Sequence, residues 1–228
     1  MAELEWSWLG AVPWAEARAL QEARASAVAR GDEPEALYLL EHPPIFTVGR
    51  HRAVSEALRA SAAQSATPIV RTDRGGDLTW HGPGQLVVYP VVRLRGAGRG
   101  VRDFVAGLVE VLRDVVDAAG LRAVCDPAQP GLYLGTAPAR RKLASVGIAV
   151  RRGVTLHGAA LNLSKAASQG FDGLAPCGLE AVRATSLEEE GGDVAGGSAA
   201  FAPLVAREFA ARFNFEARSV QPEQGRCS

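Results

Sequence analysis

The sequence of 228 residues predicts an α+β chain. Three observations carry that expectation. Val101, Phe104, Val105, Leu108, Leu112, Val115, Val116 and Ala119 form one apolar stripe at helical spacing, stopped by Gly120. Two strand-like runs, Leu143 to Arg151 and Val154 to Leu163, flank Arg152-Gly153, a hairpin turn signal. Other short apolar runs are bounded by glycine and proline, which punctuate strands.

Taken in order, Trp14 to Arg30 is rich in alanine and arginine, has helical spacing at Ala17 and Leu20, and stops at Gly31. Ala36 to Leu40 predicts a strand. His42-Pro43-Pro44 makes a rigid corner into a second strand, Ile45 to Val48, closed by Gly49-Arg50-His51. His42 and His51, at strand ends, are expected to be structural or solvent-facing. Val54 to Ala63 predicts a short helix and Ile69 to Thr72 a strand. The breaker-rich stretch from Arg74 to Tyr89 predicts a loop that runs into a strand, Leu86 to Leu94, with Pro90 expected at an edge or a bulge. Arg95 to Gly100 lacks phosphate-loop and Rossmann spacing and predicts a flexible connection. Leu132 to Leu134 predicts a strand between loops, Gly170 to Glu180 a loop, Gly191 to Gly197 a polar insertion, and Leu204 to Phe213 a closing helix. No linker or repeat divides the chain, so one domain over 1–228 is expected, with its motifs between about 36 and 190.

Net charge is zero, with 47% hydrophobic and 22% charged residues. No global field draws such a chain to nucleic acid or to a membrane, so any basic docking surface is local. The opening MAELEWSWLGAVPWAEA lacks the basic start of a signal peptide, and no apolar run could span a bilayer. A cytoplasmic location is expected. Cys125, Cys177 and Cys227 are odd in number and widely spaced, against a disulfide framework or a CxxC metal site, and Cys227 is expected in a frayed tail. Of 25 basic residues only Lys142 and Lys165 are lysines. Arginine does not give up its proton, whereas a partly desolvated lysine can, so a retained lysine draws attention.

Arg74 to Gln85, RGGDLTWHGPGQ, makes sense if its backbone passes close to a ligand, with Arg74, Thr79 and His81 turned toward one place. Cys177 lies between Pro176 and Gly178, where a thiol can be exposed. A thiol titrates near ~8.5 and becomes a nucleophile when a nearby positive charge holds the thiolate; Lys142 is the candidate partner. Small residues at Ser145-Val146-Gly147 and Gly158-Ala159-Ala160, on adjacent strands, are expected to leave an apolar groove suited to an aliphatic chain. His157 and His81 are the histidines embedded in these segments. Arg140-Arg141 and Arg151-Arg152 are candidate docking charges.

These residues resemble the lipoyl(octanoyl) transferase family. Arg74 to Gln85 matches its RGG-x-x-T-x-HGPGQ signature, and Lys142 to Asn162 its K-[IL]-A-[AS]-hydrophobic-G…T-x-HG-x-ALN block. PCGL at Pro176 to Leu179 and EHPPIFTVGR at Glu41 to Arg50 complete four blocks in family order. The resemblance implies a mixed, largely antiparallel sheet flanked by helices, like the catalytic domain of biotin and lipoate protein ligases. It implies transfer of an octanoyl group from octanoyl-acyl carrier protein to a lysine of lipoyl domains, in 2-oxoacid dehydrogenase complexes and glycine cleavage H protein. Cys177 then carries the acyl-thioester and Lys142 is its partner. Arg74, Gly75, Gly76, Asp77, Leu78, Thr79, Trp80 and His81 are implied substrate contacts, with Ser145, Val146, Gly147, Gly158, Ala159 and Ala160. No cofactor, metal, nucleic acid or membrane is called for. Two rivals remain at this level: an ATP-dependent lipoate or biotin protein ligase, and a non-catalytic acyl-binding module.

Overall fold

Hydrophobic alternation builds a large sheet with two unlike faces. The structure is a computed structural model and describes residues 1–94, 100–136, 139–171 and 182–221. The described strands are β1 (Ala2–Ala11), β2 (Glu35–Glu41), β3 (Ile45–Val48), β4 (Ile69–Arg71), β5 (Leu78–His81), β6 (Gln85–Val91), β7 (Val124–Cys125), β8 (Gly131–Leu134), β9 (Arg141–Arg151), β10 (Val154–Asn162), β11 (Arg183–Ala184) and β12 (Phe215–Ser219). The described helices are α1 (Trp14–Arg30), α2 (Glu56–Gln64), α3 (Val101–Ala118), α4 (Lys165–Gln169) and α5 (Gly197–Phe213).

The main sheet runs β12-β1-β2-β6-β10-β9-β8-β7, with β11 beside the start of β9. It is mixed: β1 lies parallel to β2 and β12, and β11 parallel to β9, while the central pairs are antiparallel. Alternate residues of each strand take opposite faces. Leu37, Leu39, Leu86, Val88 and Leu161 face α3 and α5, whose Phe104, Leu108, Leu112, Phe209 and Phe213 complete one core. Tyr38, Leu40, Val87, Tyr89, Val154 and Leu156 face the other way, under Ala17, Ala25 and Val28 of α1. A second sheet, β4-β3-β5, packs with α2 around Phe46, Val48, Leu58 and Trp80. The fold is α+β, as expected from the sequence.

Local chemistry sets the boundaries. Gly31 at φ +89° takes the left-handed conformation that ends α1. The hairpin between β9 and β10 turns through Arg152 and Gly153, both at positive φ, as a type I′ turn requires. Among the described residues no helix is long and apolar enough to cross a membrane.

Four expectations change. β1 went unread because glutamates interrupt its apolar pattern, although Leu4 is fully buried. The stretch read as a loop from Arg74 contains β5, since Leu78 and Trp80 alternate with Thr79 and His81 against β3. The last helix starts at Gly197 and carries Pro203 inside it. Pro90 sits in a central strand rather than at an edge. Its missing donor is tolerated because His157 on β10 turns to φ +59° and gives its own N–H to Gln21 Oε1 at 2.7 Å. The Pro90 carbonyl accepts from Thr155 Oγ1 at 2.6 Å. The predicted connection at 95–99, the Cys177 loop at 172–181 and Cys227 lie outside the described residues.

Candidate active site

A β-bulge aims Lys142. On β8 and β9 the pairs Tyr133–Lys142 and Leu132–Ala144 are consecutive, so Leu143 is an extra residue in β9. Leu143 and Ala144 both enter the α3/α5 core. If Leu143 were paired regularly, Lys142 would share the face of Ala144 and Val146; with Leu143 bulged, Lys142 shares the face of Ser145 and Gly147. Its side chain is 5% exposed, and Nζ lies 5.3 Å from the centre of the Tyr133 ring, within cation–π range. The Lys142 carbonyl accepts from Thr185 N at 2.9 Å, and its strand neighbour on β11 is Ala184.

Lys142 lines a cavity of about 310 Å³ on the α1 face of the sheet. There the β10 row Val154, Leu156, Gly158, Ala160 tapers from large to small, and Ser145 and Gly147 continue the low ground on β9. The stretch after Asp73 covers it. Arg74, Gly76, Asp77, Thr79 and His81 line the cavity with Lys142, Ser145, Val146, Gly147, Gly158, Ala159 and Ala160. Three residues expected to contact substrate do not reach it. Gly75 donates its N–H to the Ile148 carbonyl at 3.0 Å and so ties the loop to β9. Leu78 and Trp80 alternate to the opposite side of β5 and join the core of the small sheet. The cavity also uses Trp14, Ala128, Gln129 and Pro130, which the motifs did not single out, together with Thr47, Tyr89 and His157, which lie in the motif-bearing segments but were not expected to contact substrate. Tyr89 could have been found from its alternation with Val87 and Val91.

The small residues serve two purposes, where one was expected. Ser145 and Ala160 leave room. At Gly147 a Cβ would stand 2.7 Å from the Gly75 carbonyl oxygen, and at Gly158 2.0 Å from that of Val88. Those glycines admit close backbone approach rather than open space.

The walls carry more polar groups than the small-residue pattern suggested, but these groups hold one another. Arg74 Nη2 donates to the Thr47 carbonyl at 2.8 Å, to Thr47 Oγ1 at 3.0 Å and to the Asp77 carbonyl at 3.0 Å. Burial holds the His81 imidazole neutral, well below its usual range. Its Nδ1 then donates to Gln85 Oε1 at 2.7 Å and its Nε2 accepts from Thr47 Oγ1 at 3.3 Å. Gln85 continues to Asn162 Oδ1 at 2.9 Å. His42 is structural, as expected: burial lowers it to about 4 against the opposing Val12 carbonyl. Its Nδ1 donates to that carbonyl at 2.6 Å, and Nε2 accepts from the Tyr89 hydroxyl at 2.9 Å. Burial also lowers His157 to about 4, opposed by its hydrogen bond with Asp73 at 2.8 Å. Partial burial acts to raise Asp73, yet His157 and Arg18 hold its carboxyl well below the usual range. Among the described residues, no buried side-chain nitrogen or oxygen lacks a partner.

The arginines suggested as docking charges are largely committed inside the fold. Arg140 pairs with Asp126 at 2.6 Å, Arg141 with Glu190 at 2.6 Å, and Arg151 with Asp73 at 2.9 Å. Arg152 is exposed at the hairpin tip. Among the described residues no cluster of three or more His, Cys, Asp or Glu could hold a metal. Cys177 lies outside the described residues. The chain re-enters them at Val182 and pairs at once with β9, which sets Ala184 beside Lys142. The other flank, Phe171, stacks edge-on against Trp80 at 6.1 Å.

The lipoyl protein ligase A/B catalytic domain family matches residues 13–210. An octanoyltransferase of Geobacter metallireducens is 41% identical over 179 residues, covering 78% of this chain and 79% of that one. An octanoyltransferase of Nitratidesulfovibrio vulgaris is 40% identical over 184 residues, covering 80% and 82%. Among solved structures, a lipoate-protein ligase A bound with ATP superposes with TM-score 0.73 at 15% identity, covering 97% of this chain and 90% of that one. A bi-partite lipoate protein ligase of Thermoplasma acidophilum gives TM-score 0.72 at 16% identity, covering 98% and 89%. At such identities these two establish the fold alone. The chain belongs to the lipoyl protein ligase A/B catalytic domain family, among its octanoyltransferases, and is an acyltransferase.

Proposed function

We propose that this enzyme moves an octanoyl group from octanoyl-acyl carrier protein to a lysine of a lipoyl domain, through a thioester on Cys177. The observation that carries the reading is Lys142. It is a buried amine on the wall of a cavity, aimed there by a bulge, beside the strand that continues from the Cys177 segment.

In the first step the Cys177 thiolate attacks the donor's thioester carbonyl. The carrier's thiolate leaves and takes a proton from the Lys142 ammonium. One thioester replaces another, so the step is close to energy-neutral and calls for no ATP. In the second step the acceptor lysine's amine attacks the Cys177 thioester. Lys142, now neutral, takes the amine's proton, an amide forms, and the Cys177 thiolate leaves. The starting ion pair is restored. The acceptors are lipoyl domains of 2-oxoacid dehydrogenase complexes and glycine cleavage H protein, and the reaction is cytoplasmic.

The test is intact-mass analysis after mixing with octanoyl-loaded carrier protein. The wild-type chain gains one octanoyl group; Cys177→Ser gains none and stays folded. Adding apo lipoyl domain without ATP then discharges the adduct onto that domain. An absolute need for ATP, or transfer by Cys177→Ser at the wild-type rate, overturns the reading.

A further inference from the structure

We propose that Trp14 is a specificity-determining residue: together with Tyr89 it forms the end wall against which the acyl tail stops. The inference rests on the octanoyl-transfer reading and deepens it, by naming what sets chain length.

Lys142 and Ser145 mark one end of the cavity, on β9. Tyr89 marks the other, on β6, and β10 lies between. Two strand spacings separate β9 from β6, about 10 Å at ~4.8 Å each, and Tyr89 is also displaced along the strands from Lys142, since Val88 pairs with Ala159 and Ala159 with Val146. The cavity is therefore long enough for a medium-length acyl group whose carbonyl is held near Lys142.

The far wall is rigid on one side. The Tyr89 hydroxyl is hydrogen-bonded to His42, and His42 to the Val12 carbonyl. Tyr89 is 4% exposed and cannot retreat without breaking that chain. The same chain brings the segment before α1 toward β6, and Trp14, two residues after Val12, lines the cavity together with Tyr89. Trp14 is half-buried and makes no side-chain hydrogen bond among the described contacts. The Trp14 indole and the anchored Tyr89 ring together present aromatic surface to a methyl terminus. The polar groups near this end, Thr47, His81 and His157, spend their hydrogen bonds within the protein.

The experiment compares single-turnover acyl transfer from carrier protein loaded with hexanoyl, octanoyl, decanoyl or dodecanoyl chains. The wild-type enzyme prefers octanoyl. In Trp14→Ala the decanoyl-to-octanoyl and dodecanoyl-to-octanoyl rate ratios rise by about tenfold or more, the discrimination that one or two methylenes carry in an apolar pocket. Trp14→Leu gives an intermediate profile and serves if the alanine variant melts below assay temperature. A purely structural role for Trp14 lowers all four rates together. Unchanged ratios in both variants, with wild-type transfer intact, overturn the end-wall assignment and leave the octanoyl reading standing. No covalent octanoyl adduct on the wild-type chain overturns the octanoyl reading, and the end wall with it.

Discussion

The two faces of the large sheet obey the same alternation and reach opposite results. On the α3/α5 face, the rings of Phe104, Phe209 and Phe213 lie 4.6 to 6.4 Å apart, centre to centre, in one buried cluster. On the α1 face the row shrinks from Leu156 to Gly158 and Ala160, and His81, His157, Arg74 and Lys142 collect around the gap. Both faces are buried. What separates them is how burial is made tolerable: dispersion on one side, mutual hydrogen bonding on the other. Burial alone does not mark a site. A cavity whose polar rim is already satisfied does.

Four perturbations sharpen that contrast. The largest effect is expected from Lys142→Arg. It keeps a positive charge yet cannot pass a proton, so acyl transfer falls by roughly 10²- to 10⁴-fold, with the thermal midpoint near wild type. Full activity would reduce Lys142 to electrostatic support. Phe209→Ala acts on the filled face. It costs about 3–5 kcal/mol of unfolding free energy, read by urea titration, while the acyl-length profile of the folded fraction stays put.

Acid acts on the polar face. His42 and His157 each sit at about 4 in the folded chain against 6.5 unfolded. The unfolded chain therefore binds more protons between those values. Stability is full above pH 6.5 and declines as pH falls toward 4, by roughly 1.4 kcal/mol per unit for each histidine as an upper figure. Denaturant midpoints that stay flat across that window would mean the imidazoles reach solvent. The smallest effect is expected from Arg212→Ala, which removes the partly exposed pair with Asp114 at 3.1 Å. It should shift stability by less than about 1 kcal/mol and leave transfer unchanged.

Much of the fold was legible because local signals were strong. The stripe of α3, the Gly31 stop of α1 and the Arg152-Gly153 turn each carry their own chemistry. β1 was not legible, since an alternation of glutamate with leucine and tryptophan looks amphipathic only once its neighbours are known. Within the site, the motif residues Arg74, Thr79, His81 and Lys142 come together at one cavity. Leu78 and Trp80 carry the same signature but face away, and a consecutive motif cannot show that until β5 is recognised as a strand. Gly147 and Gly158 were read as room for a ligand, whereas the chain itself fills that room. Tyr89 was readable from its alternation with Val87 and Val91, whereas Trp14 escaped notice because long-range packing, rather than spacing, brings it there.

Leu143 gives the site an unusual vulnerability. Side-chain direction upstream of it depends on that residue staying bulged, so a slip that gives it a regular place in the ladder changes no catalytic group yet rotates the strand's start by half a turn. The guanidinium of Arg141 would swing into the acyl chamber, and the ammonium of Lys142 would be driven among Leu132 and Leu134. Chemistry here depends on the parity of a strand as much as on the identity of its lysine.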